Sequence, residues 1–206
     1  MKNALVLFGL VVCAASAQAQ QLPAKPDIAK GQTIAKQACS ACHGEDGNST
    51  SPANPKIAGQ LLEYHQKQLA NFKANSDRKS VVMLAMVANL SPADMQNVAA
   101  YYSGQKSKGG VSTSKETLAL GRDIYRGGNV SKGLAACAAC HGPNGGGIPA
   151  QYPRLAGQFA EYTEAQMKAF RTGERANDAN KMMRSIAVKM SDDEIRAVAG
   201  YIAGLP

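Results

Sequence analysis

An all-α fold in two tandem units is what this 206-residue sequence predicts, and three observations carry the prediction. The pentapeptide C-x-x-C-H occurs twice, at Cys39-Ser40-Ala41-Cys42-His43 and Cys137-Ala138-Ala139-Cys140-His141. The residues that follow the two copies match one another at an offset of 98 and then, after a two-residue gap, at 100. The apolar positions between these landmarks recur with helical spacing, and no run alternates well enough to read as a strand.

The chain opens with a short basic start at Lys2, an apolar run over residues 4–15 and a small-x-small step at Ala17-Gln18-Ala19. This is the pattern of a secretory signal peptide, so residues 1–19 are expected to be removed and the mature chain to begin near Gln20. The apolar run is too short for a membrane span, and nothing later approaches the ~20 apolar residues that a spanning helix needs. Cys13 leaves with the leader.

A first helix, with an early glycine at Gly31, is expected over residues 28–38 and leads into the first C-x-x-C-H. In the second unit its counterpart covers residues 115–126, with Gly121. The motif itself is the attachment site of a covalent c-type haem. Cysteines at i and i+3 of a helical turn lie on one side, placed to add across the two vinyl groups of one porphyrin. The adjacent histidine presents an imidazole to the iron. A zinc site would need four closing ligands, and each motif offers three with no matching Cys or His elsewhere. A thioredoxin-like dithiol would need a β-α-β context that the Ala/Gly-rich flanks do not provide. The cofactor expectation is therefore two covalently bound haem c groups, attached at Cys39 and Cys42 and at Cys137 and Cys140, with His43 and His141 as iron ligands.

Downstream of each motif the repeat pairs Pro55-Lys56-Ile57-Ala58-Gly59-Gln60 with Pro153-Arg154-Leu155-Ala156-Gly157-Gln158, Tyr64 with Tyr162, Gln68 with Gln166 and Phe72 with Phe170. Middle helices are expected over 60–74 and 158–172, with Leu61, Leu62, Leu69 and Phe72 as the buried stripe of the first. The last helices begin at Ser91-Pro92-Ala93-Asp94 and Ser191-Asp192-Asp193-Glu194, each an N-cap serine with an acid at N3, and stop at Gly104 and Gly204. Between the units, residues 105–114 are rich in Gly, Ser and Lys without apolar periodicity and read as a linker. The expected organisation is a signal peptide at 1–19, domains at 20–104 and 115–206, and that linker.

The repeat also selects a second iron ligand. A closed electron carrier needs one, and the candidates downstream of the motifs are methionines. At offset 100, Met83 faces Met183, whereas Met86, Met95, Met182 and Met190 face aliphatics, as does Met167 at offset 98. Met83 and Met183 are therefore expected on iron and the other five as flexible core filling. His65 faces Thr163 and is expected on a polar helix surface.

Without its leader the chain carries 22 basic and 15 acidic side chains, a net charge of +7. Such a surplus favours acidic docking surfaces, or peripheral association with anionic lipid headgroups, at salt-sensitive rates. The basic residues are scattered without a recognised binding motif, which argues against nucleic acid. With no Trp and only 11 Phe and Tyr residues, each unit has a thin aromatic supply, and a porphyrin would supply the missing apolar bulk.

Both C-x-x-C-H-G motifs, the Pro-x-[Ile/Leu]-Ala-Gly-Gln segments, Arg126-Gly127-Gly128 and Met183-Arg184 resemble those of the di-haem cytochrome c4 family, over essentially the whole mature chain. That resemblance implies two tandem class I cytochrome c domains, each wrapped around one haem. It also implies His/Met ligation by His43 with Met83 and His141 with Met183, and carbonyls of Pro55 and Pro153 that accept the N–H of the haem-binding imidazoles. Lys79-Ser80-Val81-Val82 gives no matching marker ahead of the first methionine, so Met86 stays a rival to Met83.

Filled axial positions leave no open site for peroxide, oxygen or nitrite, which points to an electron carrier without catalytic residues rather than an enzyme. The resemblance implies a periplasmic relay in a respiratory chain that takes electrons from a quinol-oxidising cytochrome bc complex and delivers them to a terminal oxidase. The alternative is the cytochrome subunit of a dehydrogenase or a di-haem peroxidase, either of which needs an open haem or a further subunit.

Overall fold

The computed structural model of the chain describes residues 25–112 and 115–206; the expected signal peptide lies outside the described residues. Those residues form two helical units with no named strand among them, only isolated bridges pairing Asn129 with Leu134 and Ile148 with Tyr152. The all-α prediction is met.

In the first unit, α1 (Ile28–Ile34) is capped by Asp27, whose carboxylate accepts the Lys30 N–H at 2.9 Å. It runs through a π-helical turn at Ala35–Cys39 into α2 (Ser40–His43), so helix continues past the expected end at residue 38 and carries the whole haem motif. Then come α3 (Leu62–Ala74), α4 (Val81–Val87) and α5 (Pro92–Ser103). The second unit repeats the order with α6 (Leu118–Gly127), α7 (Ala138–His141), α8 (Ala160–Thr172), α9 (Met182–Ala187) and α10 (Asp192–Ala203).

First and last helices cross in each unit, α1 on α5 and α6 on α10. The early glycines permit it. A Cβ on Gly31 would lie 2.1 Å from the Asn97 carbonyl oxygen, and one on Gly121 would lie 2.2 Å from that of Ala197. Both last helices open with the anticipated capping boxes, Ser91 with Asp94 and Ser191 with Glu194, and both end at the expected glycines. Each box satisfies backbone donors that the first turn would otherwise leave without partners.

Two apolar cores result. The first gathers Ala35, Leu69, Val87, Met95, Val98, Tyr101 and Tyr102; the second gathers Ile124, Tyr125, Met167, Phe170, Ile195 and Val198 with their neighbours. Met95, Met167 and Met190 are buried as expected of core filling, whereas Met86 is 44% exposed and fills nothing.

The second unit has eight more residues than the first between its early glycine and its first motif cysteine. They form a turn around Val130–Lys132, with Asn129 and Leu134 bridged. It is tied to its own unit, Lys132 to Glu194 at 2.8 Å and the Gly133 carbonyl to Lys189 at 2.6 Å.

Between the units the chain is pinned rather than loose. Asn48 donates to the Lys106 carbonyl at 2.9 Å and accepts from the Lys108 N–H at 2.8 Å, and Lys56 Nζ donates to the Gly109 carbonyl. The units also meet directly. Gln60 Oε1 accepts the Arg154 N–H at 2.9 Å and its Nε2 donates to the Arg154 carbonyl at 3.0 Å; Gln158 does the same to Lys56, at 3.0 and 2.8 Å. These four residues are repeat partners at offset 98, so this contact is locally two-fold.

Candidate functional site

Each unit places its haem-motif histidine in the same setting. His43 is buried, with Nδ1 2.8 Å from the Pro55 carbonyl oxygen, and His141 is buried, with Nδ1 2.9 Å from that of Pro153. A carbonyl can only accept, so Nδ1 carries the proton and Nε2 keeps a lone pair. Burial lowers the pKa of both imidazoles, against the opposing effect of the proline carbonyl, which favours the neutral form a metal requires. The contact expected from the two proline segments is thus present twice.

The cysteines sit one helical turn apart in α2 and α7 with the turns that precede them, and none of the four is disulfide-bonded. Burial raises the Cys39 and Cys137 thiols to about 11, so both are protonated thiols and not poised thiolates of a redox pair. Among the described residues no three His, Cys, Asp or Glu side chains converge as a metal-holding group.

Met83 is half-buried and packs on the first core, as Cys39 and Ile57 do; Met183 is half-buried and packs on the second, as Cys137 and Leu155 do. In each unit, motif cysteine, proline-segment aliphatic and methionine therefore share one apolar cluster. Met86 is exposed and not part of it, and Met182 Sδ stands 4.0 Å from the Tyr152 hydroxyl.

His65 departs from expectation. It is 8% exposed, its ring centroid lies 5.9 Å from that of Tyr102, and its Nδ1 has no hydrogen-bond partner. Burial, with smaller contributions from His43 and Arg78, lowers its pKa to about 4, so it is a neutral core ring. The helix face it occupies packs against α5, which the polar residues around it in sequence conceal.

Two arginines escaped the sequence reading. Arg78 and Arg175 are buried, and each guanidinium lies 4.3 Å from a phenylalanine centroid of its own unit, Phe72 and Phe170 respectively. Arg78 donates to Gln68 and, across the interface, to the Tyr162 hydroxyl at 2.7 Å. Arg175 donates to Gln166 at 2.8 Å and, across the interface, to the Tyr64 hydroxyl at 2.9 Å. Neither is ion-paired to a carboxylate among the described residues; burial works to lower the Arg175 pKa, but Tyr64 and Tyr162, with a smaller share from Asp178, hold it up. Their tyrosine and glutamine partners did match at offset 98, but the arginines are 97 apart and fall outside both registers of the repeat.

The donor set suits a c-type haem. It offers two thiols a turn apart, an imidazole with one fixed tautomer, a thioether on the same apolar cluster, and buried cations suited to the acidic substituents of a porphyrin.

The profile of the family described as Cytochrome c matches twice, over residues 28–105 and 121–206. Cytochrome c4 of Azotobacter vinelandii is 44% identical over 189 residues, covering 87% of this chain and 89% of that protein. A thiosulfate dehydrogenase electron acceptor of Stutzerimonas stutzeri strain A1501 is 36% identical over 203 residues, covering 97% and 94%. The crystal structure of reduced recombinant cytochrome c4 from Pseudomonas stutzeri superposes with a TM-score of 0.85 at 41% identity, covering 88% of this chain and all of that one.

Proposed function

We propose, for a chain that belongs to the cytochrome c family and within it to cytochrome c4, that it is a periplasmic relay carrying single electrons through two haems. Membership brings covalently bound haem c and electron transfer. The finer reading assigns one haem to Cys39 and Cys42 with His43 and Met83 on its iron, and the other to Cys140 and Cys137 with His141 and Met183. When bound, a haem so ligated exchanges one electron between its ferrous and ferric forms, and the thioether raises its potential.

The chain's residues supply the rest. The Pro55 and Pro153 carbonyls orient the imidazoles and keep Nε2 available. The two apolar clusters pack against the methionines and shield part of each thioether. Arg78 and Arg175 offer positive charge to the acidic groups of the cofactors while holding tyrosines of the opposite unit. One electron enters from a donor and one leaves to an acceptor, with no bond made or broken.

The observation that carries this reading is the twofold recurrence, around each core, of a proline-held imidazole and a methionine packed on the same apolar cluster as the first motif cysteine. The test is potentiometric titration of Met83→Ala and Met183→Ala, with intact mass for haem content. Each substitution should lower the potential of one haem only, on a protein carrying two haem masses. One haem mass, or unchanged potentials in both variants, would overturn it.

For partners, the reading places a quinol-oxidising cytochrome bc complex upstream and a terminal oxidase downstream, at the membrane surface. A second reading has a specific observation behind it, the 36% identity to a thiosulfate dehydrogenase electron acceptor across nearly the whole of both chains. There the donor is a sulfur-oxidising dehydrogenase and the carrier itself is unchanged. Reduction rates with the two donors side by side decide between them.

A further inference from the structure

The two methionines are presented by unlike devices. In the first unit Ser80 caps α4, its hydroxyl accepting the Met83 N–H at 3.2 Å. In the second, the approach to Met183 runs through Asn180 and Lys181, at φ 52° and 57°, two consecutive non-glycine residues in the left-handed region. Lys181 in particular has no short polar side chain with which to favour that conformation. Such a step persists only where its surroundings impose it.

An ion pair spans it. The Asp178 side chain, 4% exposed, accepts from Arg184 Nε at 2.7 Å through one oxygen and from the Arg184 backbone N–H at 3.0 Å through the other. Arg184 Nη2 donates to the Ala176 carbonyl at 3.1 Å, and the Ala176 N–H donates to the Asp77 carbonyl of the first unit at 2.7 Å. The loop from 176 to 184 is thus closed across its base, with Met183 adjacent to the closing arginine. In the first unit Leu84 stands where Arg184 would, so this bond has no counterpart there.

We propose that Asp178 is a positioning residue for Met183: acting through Arg184, it holds the left-handed step that presents this thioether, and so sets the ligation of the second haem alone. This rests on the reading of Met183 as an iron ligand. A methionine delivered from a loop fixed at its base has little freedom to swing away, whereas one released from it exchanges with water.

The experiment uses the full-length, haem-loaded protein with Asp178→Ala, Asp178→Asn and Met183→Ala. It reads the two potentials and the near-infrared sulfur-to-iron absorption well below the unfolding temperature. Asp178→Ala should lower one potential and remove up to about half of the band, the share of one haem in two. Asp178→Asn, which keeps an acceptor for the Arg184 N–H but not the charge, should fall between it and the parent, and it supplies the readout if the alanine variant fails to load haem. Both aspartate variants with unchanged potentials and an intact band, whatever their melting temperature, would overturn the proposal. If Met183→Ala shifts one potential while the aspartate variants shift none, only the positioning role fails; if Met183→Ala shifts none, the ligand reading fails with it.

Discussion

Gln60 is fastened to the backbone of Arg154 in the other unit by both atoms of its carboxamide, and Gln158 returns the same pair of bonds to Lys56. These bonds join loops that also carry Pro55 and Pro153, so the interface and the imidazole supports share one stretch of chain. Neutral hydrogen bonds contribute about 1 kcal/mol each, and Gln60→Ala with Gln158→Ala removes the four that cross the interface. The double variant should lose roughly 2–4 kcal/mol of interface stability. Calorimetry should resolve its unfolding into two transitions; a single transition at the parent temperature would contradict the interface as described.

Gly31→Ala and Gly121→Ala should each disrupt a helix crossing, because the added carbon would lie 2.1 or 2.2 Å from a backbone carbonyl oxygen that cannot move without its helix. Overpacking of this kind costs about 1–3 kcal/mol or more, far above the small gain in helix propensity from replacing glycine. Urea midpoints measure it, and parent-like values in either variant would refute the close approach.

Glu194 ties acid sensitivity to the second unit. Its side chain is mostly buried against Lys132 at 2.8 Å, and this hydrogen bond, followed by that from the Ser191 N–H, lowers its pKa below 4.5. A depressed carboxyl contributes stability that is present above the unfolded pKa and is lost as pH falls through 4.5 and on through the folded value. Glu194→Gln should therefore cost about 1 kcal/mol at neutral pH, after allowance for the solvent-exposed lysine, and nothing once the parent is protonated. Denaturant titrations at neutral and acid pH should converge at the low end; parallel curves would rule out this linkage.

Reduction by the physiological donor should slow as salt is added. Residues 20–206 carry seven more basic than acidic side chains, and attraction to an acidic surface is screened over about 10 Å at 0.1 M ionic strength. Stopped-flow rates across a salt series provide the measurement, and a flat profile would remove electrostatic docking.

What could be read in advance divides along physical lines. The helix ends were legible because capping boxes are local: Ser91 with Asp94 and Ser191 with Glu194 need only four residues of context. Pairing of the two halves in sequence brought Met83 and Met183 into correspondence, and each packs against the apolar core of its unit. His65 was misplaced because its burial depends on Tyr102, 37 residues away, and not on its neighbours. Arg78 and Arg175 went unseen for a related reason. An arginine in a loop has no helical period to betray it, and its worth lies in a phenol on the opposite unit.

Arg78 reaches Tyr162 while Arg175 reaches Tyr64, so each module lends the other a hydroxyl for a cation it has hidden from water. Each guanidinium also donates to a glutamine of its own module, Gln68 or Gln166, and separating the modules would exchange its phenol partner for water. The two modules are thereby coupled through a reciprocal pair of bonds, and whatever disturbs one cation's phenol disturbs the seam that both share.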